Sequence, residues 1–167
     1  MVKKVLDRQH TLIYTAHYPW QSNRVKRDHH RGKHTVLLGI GGNIGNVVRR
    51  FEHLYRYLQR CREIDLIESA PILRNPPFGF LEQDDFYNSL LLVRTSLTPK
   101  KLLRFLLRVE KKFGRKRLIK DGPRTLDIDI IFYDDISISS KELTIPHPAW
   151  MERNSVLIPL QLMKGRG

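Results

Sequence analysis

The chain has 167 residues, 41% of them hydrophobic and 28% charged, a length for one domain with enough apolar side chains to build a core. Its 30 Lys and Arg against 17 Asp and Glu leave a formal net charge of +13, which calls for an anionic partner: nucleic acid, a phosphorylated small molecule or an anionic surface. No apolar run approaches the roughly 18 residues that span a bilayer, and one cysteine, Cys61, excludes an internal disulfide or a multi-cysteine metal site and points to a cytoplasmic protein.

Residues 1–34 hold eight Lys and Arg, two acids and five of the seven His. An apolar patch, TLIYTAHYPW, precedes the basic stretch NRVKRDHHRGKH, and nothing there resembles a secretory signal. Residues 1–33 read as a basic N-terminal extension that adds a strand at Leu12–Thr15 to a main domain over 34–163. His29, His30 and His34, with no Cys or paired acids beside them, read as part of a solvated tail in preference to a metal site.

In the main domain TVLLGI is β-rich and ends in Gly41–Gly42. GIGGNIGN has neither the Walker spacing nor the dinucleotide spacing, so it reads as a tight strand-to-helix turn. NVVRRFEHLYRYLQR then places Val47, Phe51, Leu54, Tyr55 and Leu58 on one helical face behind an N-cap at Asn46. IDLIESAPIL reads as a strand, RNPPFGFLEQDD as a loop and FYNSLLLVRTSL as a second strand. Thr98, Pro99 and Gly114 are start and stop signals for the helix between them. A basic loop, RKRLIKDGPR, leads to the strand TLDIDIIFY. The remainder, ELTIPHPAWMERNSVLIPLQLM, gives a short strand, a Pro-bounded turn and an apolar segment. The order β-α-β-β-α-β predicts an α+β, ferredoxin-like fold, an antiparallel sheet with both helices on one face.

Asp127 and Asp129 sit two apart on a strand and therefore share a face. Carboxylates this close need a cation between them. Arginine alone would serve as a structural ion pair, yet Arg115, Lys116, Arg117, Lys120 and Arg124 are more cations than two acids require. A divalent metal explains the surplus: Mg²⁺ takes one or two carboxylates together with substrate phosphates, and the arginines take the remaining phosphate oxygens. In NPPFGFLEQDDFYN, Phe86 and Asn88 fall on one face at a strand start, suited to stacking on a flat heteroaromatic ring and bonding its edge, although aromatics there usually belong to the core.

From about residue 35 to 160 the chain resembles the 6-hydroxymethyl-7,8-dihydropterin pyrophosphokinases of folate biosynthesis. The resemblance is carried by GGNIG, NPPFG…QDDFYN, GPRTLDIDIIFY and LTIPHPAWMERNSVLIPL in that order. It implies a ferredoxin-like core, ATP as co-substrate, two Mg²⁺ ions and transfer of pyrophosphate to the pterin hydroxymethyl group with release of AMP. By matched position it implies Asp127 and Asp129 as metal ligands and Arg115, Arg117 and Arg124 on the polyphosphate, all five as catalytic residues. His147 and Arg153 match positions at the triphosphate, and Glu110 and Ile130 positions near adenosine. Asn75, Pro77 and Phe78 resemble the pterin loop, Phe86 the stacking ring and Asn88 the amide at the pterin edge.

The departures are Ser155 where a second stacking aromatic is common, with Trp150 nearby as a substitute, and a basic loop about one residue shorter that has Lys120 and Asp121 in place of a tryptophan. The extension 1–33 has no matched counterpart. Closure of 75–86 and 114–124 over the substrates is expected. An RNA-binding module shares the topology and suits the charge, but the aromatic strand motif is missing and the paired acids would repel a phosphate backbone. A nucleic-acid partner is therefore not expected. Transfer of a single phosphoryl group would differ in releasing ADP. With no evident apolar docking surface, and no membrane segment, the sequence points to a monomer acting on small molecules.

Overall fold

The computed structural model describes residues 1–22, 32–114 and 121–164. In chain order the elements are β1 (Val2–Val5), β2 (Thr11–Tyr14), β3 (Trp20–Gln21), β4 (His34–Gly42), α1 (Val47–Arg60), β5 (Ile64–Ser69), β6 (Ile72–Asn75), β7 (Phe86–Thr95), α2 (Pro99–Lys112), β8 (Asp127–Tyr133), β9 (Ile138–Ser139), β10 (Thr144–Ile145), a 3-10 turn (Trp150–Glu152) and α3 (Asn154–Gln161).

The sheet runs β1-β2-β6-β7-β4-β8, with β5 beside the other half of β7, and its pairings are antiparallel. Within it, β4-α1-β5/β6-β7-α2-β8 is the expected ferredoxin-like core. The expected single strand over IDLIESAPIL is instead two, β5 and β6, broken at Ala70–Pro71. Proline has no N–H for the ladder, and the break lets the two halves follow different parts of β7.

Both helices begin as their sequences predict. Asn46 Oδ1 accepts from the Arg49 N–H at 3.1 Å and Thr98 Oγ1 from the Lys101 N–H at 3.4 Å. Gly114 takes φ 78° just past α2, where a residue without Cβ is favoured. Phe51, Leu54 and Leu58 of α1 and Leu102, Phe105 and Val109 of α2 pack on Val36, Leu38, Ile40, Ile128 and Ile130, forming the main core on one face. The apolar C-terminal segment becomes α3 and goes to the opposite face, where Val156 joins Leu37, Leu90, Leu92 and Ile131 in a second cluster. That face is therefore only partly covered.

The N-terminal segment is not confined to a tail. The expected strand forms, one residue earlier than read, and pairs with β6, while β1 folds back on it as an unanticipated hairpin. Tyr18 is fully buried and donates its hydroxyl to the Phe51 carbonyl at 2.9 Å. Glu52 of α1 accepts from the Thr15 hydroxyl and from the His17 N–H at 3.2 Å, and its other oxygen meets His17 Nδ1 at 2.5 Å. The His17 ring stacks on Tyr55 at 4.6 Å. His29 and His30 lie outside the described residues; His34 bonds Asp134 at 2.7 Å.

Candidate active site

Strand register assembles the site on the face away from α1 and α2. Asp127 is level with Gly41, and Gly41 with Asn88, so these residues and their i±2 neighbours Asp129, Gly39, Phe86 and Leu90 share one side of the sheet. Gly41 lies close under the Asn88 amide: a Cβ there would sit 2.6 Å from Asn88 Oδ1, so the amide would have to shift. The glycine stretch thus serves the site from inside β4 as well as forming the turn to α1.

A cleft of about 270 Å³ opens on this face. At one end lie Asn75, Phe86 and Asn88 of β6 and β7, and at the other Asp127 and Asp129 of β8, while Pro77, Phe78, Arg124, His147 and Arg153 complete the lining from loops. Asn88 donates to Asn75 Oδ1 at 2.6 Å, which fixes both amides. Asp127 is buried at 5% exposure and Asp129 is exposed. Arg124 Nη1 donates to Asp127 Oδ2 at 2.5 Å, the positive partner a buried carboxylate needs. The same guanidinium lies 5.3 Å from the Phe86 ring centre, so Arg124 joins the two ends. Arg153 lies 5.2 Å from the Phe78 ring.

His147 is held by its N–H on the Ile131 carbonyl at 2.9 Å, and its Nδ1 accepts from the Ala149 N–H at 3.2 Å. Burial holds its pKa below the ordinary 6.5, and Arg153 adds to this against the opposing pull of Asp129.

Two expected positions lie elsewhere. Glu110 is 3% exposed on α2 and accepts from the Ile128 N–H at 2.7 Å, and the Ile130 side chain is in the main core, so neither lines the cleft. Arg115 and Arg117 lie outside the described residues. Ser155 lines the cleft, whereas Trp150 packs edge-on against Phe132 at 4.8 Å and is not in the lining. Trp150 therefore does not take the second stacking place.

Sequence reasoning missed Asn43. Its Nδ2 donates to Gln83 Oε1 at 2.9 Å and to the Asp84 carbonyl at 3.0 Å, and its Oδ1 accepts from the Arg124 N–H at 2.9 Å. Gln83 also donates to the Asp121 carbonyl at 2.8 Å. One buried amide thus ties the loop before β7 to the loop before β8. An asparagine in GGNIG carried the signal, but its partners are about 40 and 80 positions away and invisible to spacing.

Residues 37–164 match the family model of 7,8-dihydro-6-hydroxymethylpterin-pyrophosphokinase, more than half of the chain. The chain belongs to that family. It is similar to the 2-amino-4-hydroxy-6-hydroxymethyldihydropteridine pyrophosphokinases of Helicobacter pylori, 41% identical over 131 residues (77% of this chain, 80% of the relative), and of Campylobacter jejuni, 38% identical over 131 residues (78% and 83%). It is also similar to the folic acid synthesis protein FOL1 of Dictyostelium discoideum, 35% identical over 140 residues, 83% of this chain but 21% of that longer protein. As a member, this pyrophosphokinase is an enzyme of folate synthesis that uses ATP and hydroxymethyldihydropterin. No helix among the described residues is long and apolar enough to cross a membrane.

Proposed function

We propose that the cleft transfers the β,γ-pyrophosphoryl group of ATP to 6-hydroxymethyl-7,8-dihydropterin, with the pterin at the Phe86–Asn88 end and the triphosphate at the Asp127–Asp129 end. The supporting observation is Arg124, whose guanidinium reaches both the Phe86 ring and the Asp127 carboxylate. The pterin hydroxyl oxygen attacks the β-phosphorus in line; the new O–Pβ bond forms as the bond from Pβ to the α–β bridging oxygen breaks. AMP leaves with the α–β bridging oxygen, and the hydroxyl proton passes to solvent water. The protein's part is positioning and charge compensation, which carry most of the catalysis in phosphoryl transfer.

Phe86 stacks on the pterin, the Asn88 and Asn75 amides hold its edge, and Pro77 and Phe78 flank it. Arg124, Arg153 and His147 take phosphate oxygens, joined by Arg115 and Arg117. Glu110 and Ile130 have no direct place in the cleft; Glu110 acts from behind the sheet by fixing the Ile128 N–H of β8.

The donor chemistry here suits Mg²⁺, and the family resemblance supports two ions. Asp127 and Asp129 offer hard carboxylate oxygen ligands on one face. That is the composition Mg²⁺ uses when water and substrate phosphates complete its shell. Asp127 and Asp129 would hold the ions, which supply neutralisation of the phosphate charge. Residues 34–163 carry this chemistry, and a lone free Cys61 with no disulfide suits a reducing compartment such as the cytoplasm.

Asp127→Ala and Asp129→Ala test the assignment. Each is expected to lower kcat by about 10²–10³, as loss of an electrostatic group at a reacting centre does, with the folded state retained in thermal melts. Activity within threefold of wild type in either variant would overturn its role.

A further inference from the structure

We infer that the N-terminal hairpin completes the pterin end of the cleft, with His10 as an additional substrate-binding residue. The inference rests on the pterin assignment above and adds a residue from outside residues 37–164, the range of the family match. Two independent observations carry it. The first is register: Thr11 pairs with Arg74 and Leu12 with Leu73, while Leu73 pairs with Asn88 and Asn75 with Phe86. His10, one step before Thr11, falls level with Asn75 and on the same side of the sheet as Asn75, Phe86 and Asn88. The second is the cleft itself, whose lining includes His10 and Gln9 together with Asn75, Pro76 and Asn88.

The ring is held as a binding group is held. His10 is 8% exposed, and its Nδ1 lies 2.9 and 3.0 Å from the two Asp7 oxygens. Asp7 Oδ1 also accepts from the Gln9 and His10 N–H groups at 2.7 and 2.9 Å, so one carboxylate shapes the hairpin turn and orients the imidazole. In the neutral ring that carboxylate keeps the proton on Nδ1 and leaves Nε2 an acceptor. The pterin amino and ring N–H groups are donors, and Asn75 and Asn88 already satisfy each other in part. An acceptor in the same lining would add a hydrogen bond to the polar edge of the substrate. The hairpin is anchored by the buried Leu12 and Ile13 and by the following segment, which is held through Tyr18 and Glu52.

Calorimetry on the full chain with Mg²⁺ separates this from a structural role. Pterin affinity is measured in the presence of an ATP analogue with a methylene between the α- and β-phosphorus, and affinity for the analogue is measured alone. His10→Leu is expected to weaken pterin binding about tenfold, the value of one hydrogen bond, with analogue affinity and Tm unchanged. His10→Gln, which returns a polar group near the Nε2 position, is expected to recover most of the loss. Pterin affinity within twofold of wild type in His10→Leu would overturn the role of His10 while leaving the pterin site standing. A parallel fall in pterin affinity, analogue affinity and Tm would also overturn it, in favour of a packing role. Failure of the wild type to bind the pterin would remove the parent reading and this one with it.

Discussion

At the scale of single residues the site depends on contacts that spacing alone does not reveal. Asp127 and Asp129 were legible because alternation on a strand puts them on one face. The Arg124 partnership was legible as excess charge in the preceding loop. Gly41 and Asn43 were not, since a glycine under an amide from the next strand and an asparagine between two loops have long-range causes. Gly41→Ala is a sharp test. The added Cβ would meet Asn88 Oδ1 at 2.6 Å and push the amide off the pterin edge. The pterin KM is expected to rise about tenfold and the ATP KM to stay within about twofold, at a stability cost of about 1–3 kcal/mol for overpacking. Unchanged pterin kinetics would show that Asn88 does not read the substrate.

Among the elements, the two long helices were legible from apolar spacing and caps, and the strand order followed from their alternation with β-rich runs. The break between β5 and β6 was signalled only by Pro71. The β1–β2 hairpin was missed because its outer strand is exposed throughout and carries no alternation, Val2 and Val5 being 66% and 72% exposed. Glu52 is the link between this N-terminal segment and α1. Burial opposes its ionisation, but the hydrogen bonds from Thr15 and His17 prevail and hold its pKa below the ordinary 4.5. The unfolded chain therefore binds the proton more readily, so the contribution of Glu52 is complete above about pH 4.5 and is lost as pH falls through its depressed value. Glu52→Gln is expected to lower stability at neutral pH by about 1.5–3 kcal/mol, roughly 3–10 °C in Tm, and the difference from wild type should shrink toward pH 3. A constant difference across that range would contradict the ion-dipole account of the clamp.

Taken whole, the molecule uses the two faces of its sheet differently. One is closed by α1 and α2 over the main core; the other is half covered by α3 and left open where the carboxylates, arginines and amides converge. Part of the positive charge read at first as a mark of some anionic partner faces this cleft, from Arg124 and Arg153. The position of α3 opposite the other helices was not legible, because a short apolar segment containing Pro159 has no face of its own to predict. Every role assigned in the cleft depends on pyrophosphoryl transfer to the pterin. That transfer is tested most directly by separating the nucleotide products formed from ATP, Mg²⁺ and 6-hydroxymethyl-7,8-dihydropterin. The account predicts AMP, formed only when the pterin is present and in equal amount to the pterin diphosphate. ADP in place of AMP, or nucleotide turnover indifferent to the pterin, would contradict it.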